Sequence, residues 1–179
     1  MSCLIDEGYV LGCRDSIGGV KGVYIASFDP AAAYSIIVDE IGNYATSTSP
    51  APVHYKYDQF TEAASFSQTG TFSLENGSVF YDQQLTLMFH KQDTALRNKL
   101  VLLAQGRLSI IIQDQNNNFW LMGKENGVYA ISADMQSGKA FGDMNGVTLT
   151  LQGKEREPAY KITAIDEAGL ATIGFTISQ

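Results

Sequence analysis

Short runs of β-forming residues, separated by turn residues at intervals of roughly ten positions, recur along this chain and constrain its fold more than any other feature. Four such runs follow one another in the second half, at residues 107–114, 119–125, 127–133 and 146–155. Strands this short, with turns this close together, favour an antiparallel β-sandwich or barrel.

The strongest hairpin signal is Asn76-Gly77, which lies between the runs "TGTFSLE" and "VFYDQQLTLMF". Asn-Gly readily adopts the left-handed backbone conformation of a tight hairpin turn. In the second run, Leu85, Leu87 and Phe89 occupy alternate positions. This alternation predicts a strand with one buried face.

The first half of the chain is less regular. Residues 20–29 and 33–41 are rich in apolar and β-branched side chains, and the turn signal Asp29-Pro30 separates them. They are predicted to form a hairpin, or strands bent at a corner.

The next stretch, "GNYATSTSPAPVHYKY" at residues 42–57, is rich in Ser, Thr, Pro and Tyr. It is predicted to be a long surface loop or an extended hairpin, because Pro50 and Pro52 exclude a central strand. Tyr44, Tyr55 and Tyr57 suit a loop that docks on a neighbouring molecule. Ordinary packing along the flank of the domain is the alternative.

One helix is predicted, over residues 91–106. Asp93 or Thr94 is the expected N-cap, and Gly106 the expected left-handed stop. The apolar positions recur three and four residues apart, at Leu96, Leu100, Val101, Leu103 and Ala104. The helix is therefore expected to cover one face of a sheet.

These elements predict one domain over residues 1–179. With 179 residues, 45% of them hydrophobic, the chain is long and apolar enough to enclose a core. The expected class is mainly β, an antiparallel sandwich or barrel with one flanking helix at about 91–105. An N-terminal arm at about 1–19, an excursion at about 42–59 and two C-terminal strands around a turn at 167–169 complete the prediction.

Charge and composition exclude several classes of protein. The net charge of −7 argues against a non-specific nucleic-acid binder, which carries a basic surface. No apolar run is long enough to span a membrane, and the first residues resemble no secretory signal. Cys3 and Cys13 are too far apart for a usual zinc pair and are expected to be small, semi-buried thiols.

A Gly-Lys pair at Gly138-Lys139 raises the possibility of a phosphate-binding loop. A Walker A loop needs a glycine where Ala133 stands and a hydroxyl where Ala140 stands. The segment also precedes a strand rather than a helix. It is therefore predicted to be a flexible connection that ends in a turn at Asn145-Gly146.

A calcium loop is suggested by Asp114, Asn116, Asn118 and Glu125, which match four ligand positions of an EF-hand. Phe119 occupies the position that requires glycine, and strands rather than helices flank the segment. A polar hairpin turn, in which asparagine tolerates a left-handed conformation, is the better interpretation.

No catalytic, cofactor-binding or metal-binding residue is predicted, and the chain is not expected to be an enzyme. His54 and His90 lie on different elements without ligands at suitable spacing. Phe119 and Trp120 are expected to belong to the core of a central strand. A sugar-stacking role for Trp120 is the alternative.

Residues 81–160 resemble a tail-tube protein of tailed bacteriophages. The last part, with its small-residue loop, Asp-x-Asn-Gly turn and Gly-x-Glu-x-x-Pro-Ala close, is similar to virion tail proteins of phages that infect Bacteroidetes-type hosts. The stretch is "YDQQLTLMFHKQDTALRNKLVLLAQGRLSIIIQDQNNNFWLMGKENGVYAISADMQSGKAFGDMNGVTLTLQGKEREPAY". It contains a strand, one helix, a strand ending in a polar turn and a short aromatic strand closing in Gly. The connection "SGKAFGDMNG" then leads into a strand ending in "GKEREPA".

The resemblance implies a β-sandwich with one flanking helix that assembles into hexameric rings. Sheets of neighbouring subunits join edge to edge around a channel for double-stranded DNA, and loops or terminal arms dock on the next ring. The implied partners are other copies of the chain, other tail and neck proteins, and DNA in transit. The implied location is the virion, assembled in the host cytoplasm.

Five residues are the candidate inter-subunit contacts: Tyr44, Tyr55, Tyr57, Lys139 and Phe141. Residues 42–57 and 134–145 are the candidate ring-to-ring segments. If acidic residues face the channel, the net negative charge repels DNA from its wall. The alternatives are a tail terminator, stopper or connector ring, or a β-sandwich virion module that binds a receptor or carbohydrate.

Overall fold

The computed structural model describes residues 14–30, 34–39, 42–47, 52–162, 167–172 and 175–178. These residues form a mainly β structure with two sheets and two helices. The predicted β-rich sandwich with a flanking helix is confirmed.

Twelve strands and two helices follow one another in the described residues. In chain order they are β1 (Val20–Ser27), β2 (Tyr34–Asp39), β3 (Gly42–Ser47), β4 (Val53–Asp58), β5 (Ser65–Ser73), β6 (Ser78–His90), α1 (Thr94–Gln105), β7 (Leu108–Asp114), β8 (Phe119–Met122), β9 (Tyr129–Gln136), β10 (Gly146–Glu155), β11 (Tyr160–Ile162), α2 (Glu167–Thr172) and β12 (Thr176–Ser178).

The larger sheet has eight strands in the order β12-β4-β1-β7-β8-β11-β3-β2. Most neighbours are antiparallel; β11 with β3 and β12 with β4 are parallel. The smaller sheet has four antiparallel strands in the order β5-β6-β10-β9. Within it, β5 and β6 form the predicted hairpin, which closes at the pair Ser73–Ser78 and has Gly77 at a φ of 59°.

The main core lies between the two sheets. Alternate side chains of β6 and β10 face alternate side chains of β1 and β7, and α1 adds two leucines from the side. The buried members include Leu85, Leu87, Leu149, Leu151, Val23, Ile25, Ile110, Ile112, Leu100 and Leu103.

A second core covers the opposite face of the larger sheet. It is built on β1, β7, β8 and β11 and is closed by α2 and the residue before β12; its members are Tyr24, Ile111, Phe119, Leu121, Ile162, Leu170 and Phe175. The central strand β7 is thus buried on both faces, which explains its continuous run of isoleucines.

The predicted arrangement of the first half is wrong in two respects. β1 pairs with β4 and β7, whereas β2 pairs with β3; residues 20–29 and 33–41 are therefore not a hairpin. The excursion at 42–59 consists of β3 and β4, with 48–51 outside the described residues. Four other strands separate β3 from β4 in the sheet, so they do not pair with each other.

The predicted N-terminal arm is described only at residues 14–19, which are exposed and lie outside any strand or helix. Its remainder, including Cys3 and Cys13, lies outside the described residues.

Three details of the helical regions also differ from prediction. Gly106 ends α1 with φ −91° and ψ 158°, not a left-handed stop, because the chain continues directly into β7. Val101 and Ala104 are exposed, so the buried stripe of α1 is narrower than expected. The predicted turn at 167–169 is the start of α2.

The connection before β10 is shorter than expected, because residues 134–136 belong to β9. Gly138, with φ 68°, adopts the left-handed conformation in this connection. Gly146 instead begins β10, where an added Cβ would lie against the carbonyl oxygen of Phe89. A glycine is needed at position 146 because the backbones of β10 and β6 approach closely there, and not because the chain turns.

Candidate assembly surfaces

The five predicted contact residues lie in three separate places. Tyr55 and Tyr57 share one face of β4, where Tyr55 is 53% exposed. Tyr57 packs on the main core, with its ring 6.1 Å from that of Phe89, and burial raises the pKa of its hydroxyl. Tyr44 lies in β3, in register with Lys161 of β11; its side chain lies outside the described residues.

Lys139 and Phe141 are exposed together in the connection at residues 137–145. The carboxylate of Asp143 accepts hydrogen bonds from the backbone N–H groups of Lys139 at 2.8 Å and Ala140 at 2.7 Å. These bonds lower the pKa of Asp143. The predicted connection therefore contains a hydrogen-bonded turn in which Phe141 is exposed to solvent.

The smaller sheet has two open edges within the described part of the chain. β5 and β9 each pair with one neighbour only, and they are nine and eight residues long. The outer N–H and C=O groups of such strands form a template on which another strand can pair.

The outward face of the smaller sheet is hydrophilic and almost uncharged. Alternation along the strands, together with the register, places on it mainly Ser, Thr and Gln, from Ser65, Ser67, Thr69, Thr71, Gln84, Thr86, Ser132, Gln136, Thr148, Thr150 and Gln152. The charged residues on this outward face are Asp82, Asp134 and Lys154, and the register also places Phe80, Met88 and Tyr129 on it. Gln152 donates to both carboxylate oxygens of Asp82, at 2.8 and 2.7 Å.

The β5–β6 hairpin extends beyond the rest of the sheet. β10 ends at Glu155 opposite Tyr81, so residues 71–80 project past it. Phe72, Leu74 and Val79 are exposed in this tip. Sequence reasoning missed this surface, although apolar residues on both sides of Asn76-Gly77 were the available signal.

Phe119 is fully buried, as predicted, whereas Trp120 is only half-buried. Trp120 borders a groove of about 260 Å³ beside Ile17, Phe66 and Asp114. The indole Nε1 donates to a carboxylate oxygen of Asp114 at 3.4 Å.

The predicted polar turn after β7 is present. Asp114 accepts hydrogen bonds from the N–H groups of Asn116 and Asn118, at 2.9 and 2.7 Å, and Asn117 has a φ of 60°. The amide of Asn116 in turn bonds the backbone of Ile17. The polar groups around the Trp120 groove are therefore already engaged in hydrogen bonds that stabilise the fold.

The two histidines occupy unrelated environments. His54 is fully buried; its Nδ1 donates to the carbonyl oxygen of Pro52 at 3.0 Å, and its Nε2 has no partner within the described residues. Burial lowers the pKa of His54 to about 4. His90 is exposed at the end of β6. No group of three His, Cys, Asp or Glu side chains suited to a metal occurs in the described part.

The closing sequence "GKEREPA" joins the end of β10 to the loop between β8 and β9. The buried carboxylate of Glu155 accepts hydrogen bonds from the N–H groups of Asn126 at 2.9 Å and Glu125 at 3.2 Å. Desolvation nevertheless raises the pKa of Glu155. Ala159 N–H donates to Gln68 of β5 at 2.7 Å. The residues most typical of the resemblance thus have a structural role.

No family model, curated protein or solved structure matches the chain. Among the described residues, neither helix has the length and apolar character that a membrane crossing requires.

Proposed function

We propose that this chain is a structural subunit of a bacteriophage tail, without catalytic activity. In this proposal, hexameric rings stack into a tube around a channel for double-stranded DNA. The subunit contacts other copies of itself and neighbouring tail and neck proteins in the virion, after assembly in the host cytoplasm. The resemblance over residues 81–160 supports this proposal, and one structural observation carries it: within the described residues, the smaller sheet has two open edges and a hydrophilic, nearly neutral face.

The open edges support ring formation. If β5 of one copy pairs with β9 of the next, the four-stranded sheets join into a continuous barrel, and both edges disappear. Such a contact uses two different surfaces of the subunit and propagates from copy to copy, and it gives a ring when the rotation between copies closes.

The hydrophilic face supports the passage of DNA. In the proposed ring this face lines the channel, where DNA phosphates meet hydroxyl and amide groups. On this face one lysine, Lys154, accompanies two carboxylates, Asp82 and Asp134. The Nζ of Lys154 lies 5.7 Å from the centre of the Phe80 ring. Few cations mean little counterion release and weak binding. In the proposal, the channel wall is therefore nearly neutral, and not acidic as the net charge of the chain led us to expect.

The projecting hairpin supports stacking. We propose that Phe72, Leu74 and Val79 at its tip contact the adjacent ring, because exposed apolar side chains gathered on one projection are typical of a protein contact. This tip replaces residues 42–57 in the proposal, since β3 and β4 are strands within the larger sheet.

A charge placed on the open edge tests the proposal. Ile131 lies at the bulge in β9 and is exposed, so Ile131→Lys should block edge pairing. Leu102→Lys, on the exposed side of α1, is the control. Negative-stain microscopy and light scattering should show annuli or tubes for the wild type and the control, but not for Ile131→Lys. A wild-type chain that remains a compact monomer at every concentration contradicts the proposal.

The same images separate the tube from the ring alternatives, because a terminator, stopper or connector stops at one ring. The groove beside Trp120 favours a second function, a virion module that binds carbohydrate through aromatic stacking. A monomeric chain that binds glycans in titration calorimetry, with loss of that binding in Trp120→Ala, would support this second function instead.

A further inference from the structure

An apolar groove lies between the first turns of α1 and the open edge strand β9. Leu96, Leu100, Met135 and Val147 line it, and its volume is about 220 Å³. Leu100 and Val147 are buried beneath it, whereas Met135 is 54% exposed. The main core therefore comes close to the surface at this point, beneath a space large enough for one aromatic ring.

The rim of the groove is charged. Asp93 and Arg97 stand on it, at the start of α1. Asp93 is the N-cap residue of the helix, yet its side chain makes no capping hydrogen bond. Its carboxylate is therefore available to a cation from another molecule.

Phe141 is the complementary feature on the surface. Its side chain is fully exposed, at the end of the sheet where β9 leads into β10. The hydrogen bonds from Lys139 and Ala140 to Asp143 fix the turn that carries it. A turn already ordered in this way loses little further conformational freedom when its exposed ring binds a partner.

We propose that Phe141 of one copy inserts into the groove between α1 and β9 of a neighbouring copy. Lys139, two residues before Phe141, then lies near Asp93 on the rim, where its ammonium can pair with that carboxylate. The ring of Phe141 covers Leu96, Leu100 and Met135, which closes the core against water.

This contact rests on the proposed ring and identifies a second point of attachment within it. The groove includes Met135 near the end of β9, so the contact is continuous with the proposed pairing of that strand. The turn and the groove are different surfaces, so the interaction is heterologous and can repeat around the proposed ring.

Mixed crosslinking tests the inference directly. In a background with Cys3→Ser and Cys13→Ser, one preparation carries Phe141→Cys and another carries Leu96→Cys. After mixing and mild oxidation, a disulfide between positions 141 and 96 is expected, identified by peptide mass spectrometry, and it can form only between copies. Leu102→Cys, on the exposed side of the same helix, replaces Leu96→Cys as the control and should give no link between positions 141 and 102. A mixture that assembles but does not crosslink overturns the inference.

A second measurement keeps the result independent of cysteine chemistry. Phe141→Ala should weaken self-association by about 10-fold or more, as expected for a central aromatic anchor, with an unchanged melting temperature. Leu102→Ala should leave association unchanged. Annuli that form as readily with Phe141→Ala overturn this contact and leave the ring standing. Crosslinked copies without annuli overturn the ring and leave the contact standing.

Discussion

The carboxylate of Glu155 accepts a hydrogen bond from the backbone N–H of Asn126 at 2.9 Å and thereby fixes the loop between β8 and β9 to the end of β10. The same carboxylate also accepts from Glu125. These bonds span about thirty residues of sequence, so the group connects parts of the chain that no local pattern joins.

Glu155→Ala should therefore destabilise the fold by about 1–3 kcal/mol, because it removes the acceptor for two backbone donors. Urea unfolding followed by circular dichroism measures the loss. Glu157→Ala is the matched control, since the Glu157 carboxylate has no ion pair or hydrogen bond within the described residues. Equal stability of the two variants would show that the Glu155 hydrogen bonds do not stabilise the fold.

Stability should fall as the pH is lowered from about 6.5 to about 4. The pKa of His54 is about 4 in the folded chain against an ordinary value of 6.5, so the unfolded chain binds a proton in this range and the folded chain does not. Stability is therefore lost with acidification, by about 3 kcal/mol over the full range.

His54→Leu should remove that part of the pH dependence, whereas His90→Gln at the exposed histidine should retain it. Urea midpoints measured from pH 4 to pH 7 give both slopes. A His54→Leu slope equal to that of the wild type would place the responsible group elsewhere.

Strands with strong local patterns could be predicted from the sequence. β10 was predicted to the residue, because Val147, Leu149 and Leu151 alternate with polar residues between turn signals. The β5–β6 hairpin was fixed by its Asn-Gly turn. The helix α1 followed from the spacing of Leu96, Leu100 and Leu103.

Features that depend on distant pairing could not be predicted. β4 lies between β1 and β12, and β3 between β2 and β11; nothing within residues 42–57 encodes those neighbours. α2 is only six residues long, too short for its own sequence to determine a helix. Lys139 and Phe141 could be singled out by composition, but the open edges and the groove required the order of strands.

The buried side of α1 should dominate its contribution to stability. Leu100 is 4% exposed and Leu102 is 69% exposed. Leu100→Ala should cost about 2–5 kcal/mol, because it leaves a cavity in the main core. Leu102→Ala should change the free energy of unfolding by less than about 0.5 kcal/mol. Chemical unfolding of the two variants measures the change in unfolding free energy for the same Leu→Ala substitution on the buried and the exposed side of α1.

Close backbone approach at the start of β10 should make Gly146 irreplaceable. A Cβ there would overlap the Phe89 carbonyl oxygen and lie 3.2 Å from the Cα of His90. Both neighbours are backbone atoms and cannot rotate away, so Gly146→Ala should destabilise the fold by about 1–3 kcal/mol. Gly142→Ala, with nothing within 4 Å of the added Cβ, should be nearly neutral. Equal melting temperatures would contradict this assignment.

The hairpin tip should matter for assembly but not for folding. Leu74 is fully exposed and projects beyond β10, so Leu74→Ser removes no buried contact within the subunit. If the tip contacts the adjacent ring, the variant should form rings that stack poorly, giving tubes several-fold shorter than the wild type in negative-stain images. Glu75→Ser changes the neighbouring exposed residue of the same turn and should leave tube length unchanged. Because edge pairing within a ring does not involve the tip, single annuli should persist in Leu74→Ser; tubes of normal length would assign ring stacking to another surface.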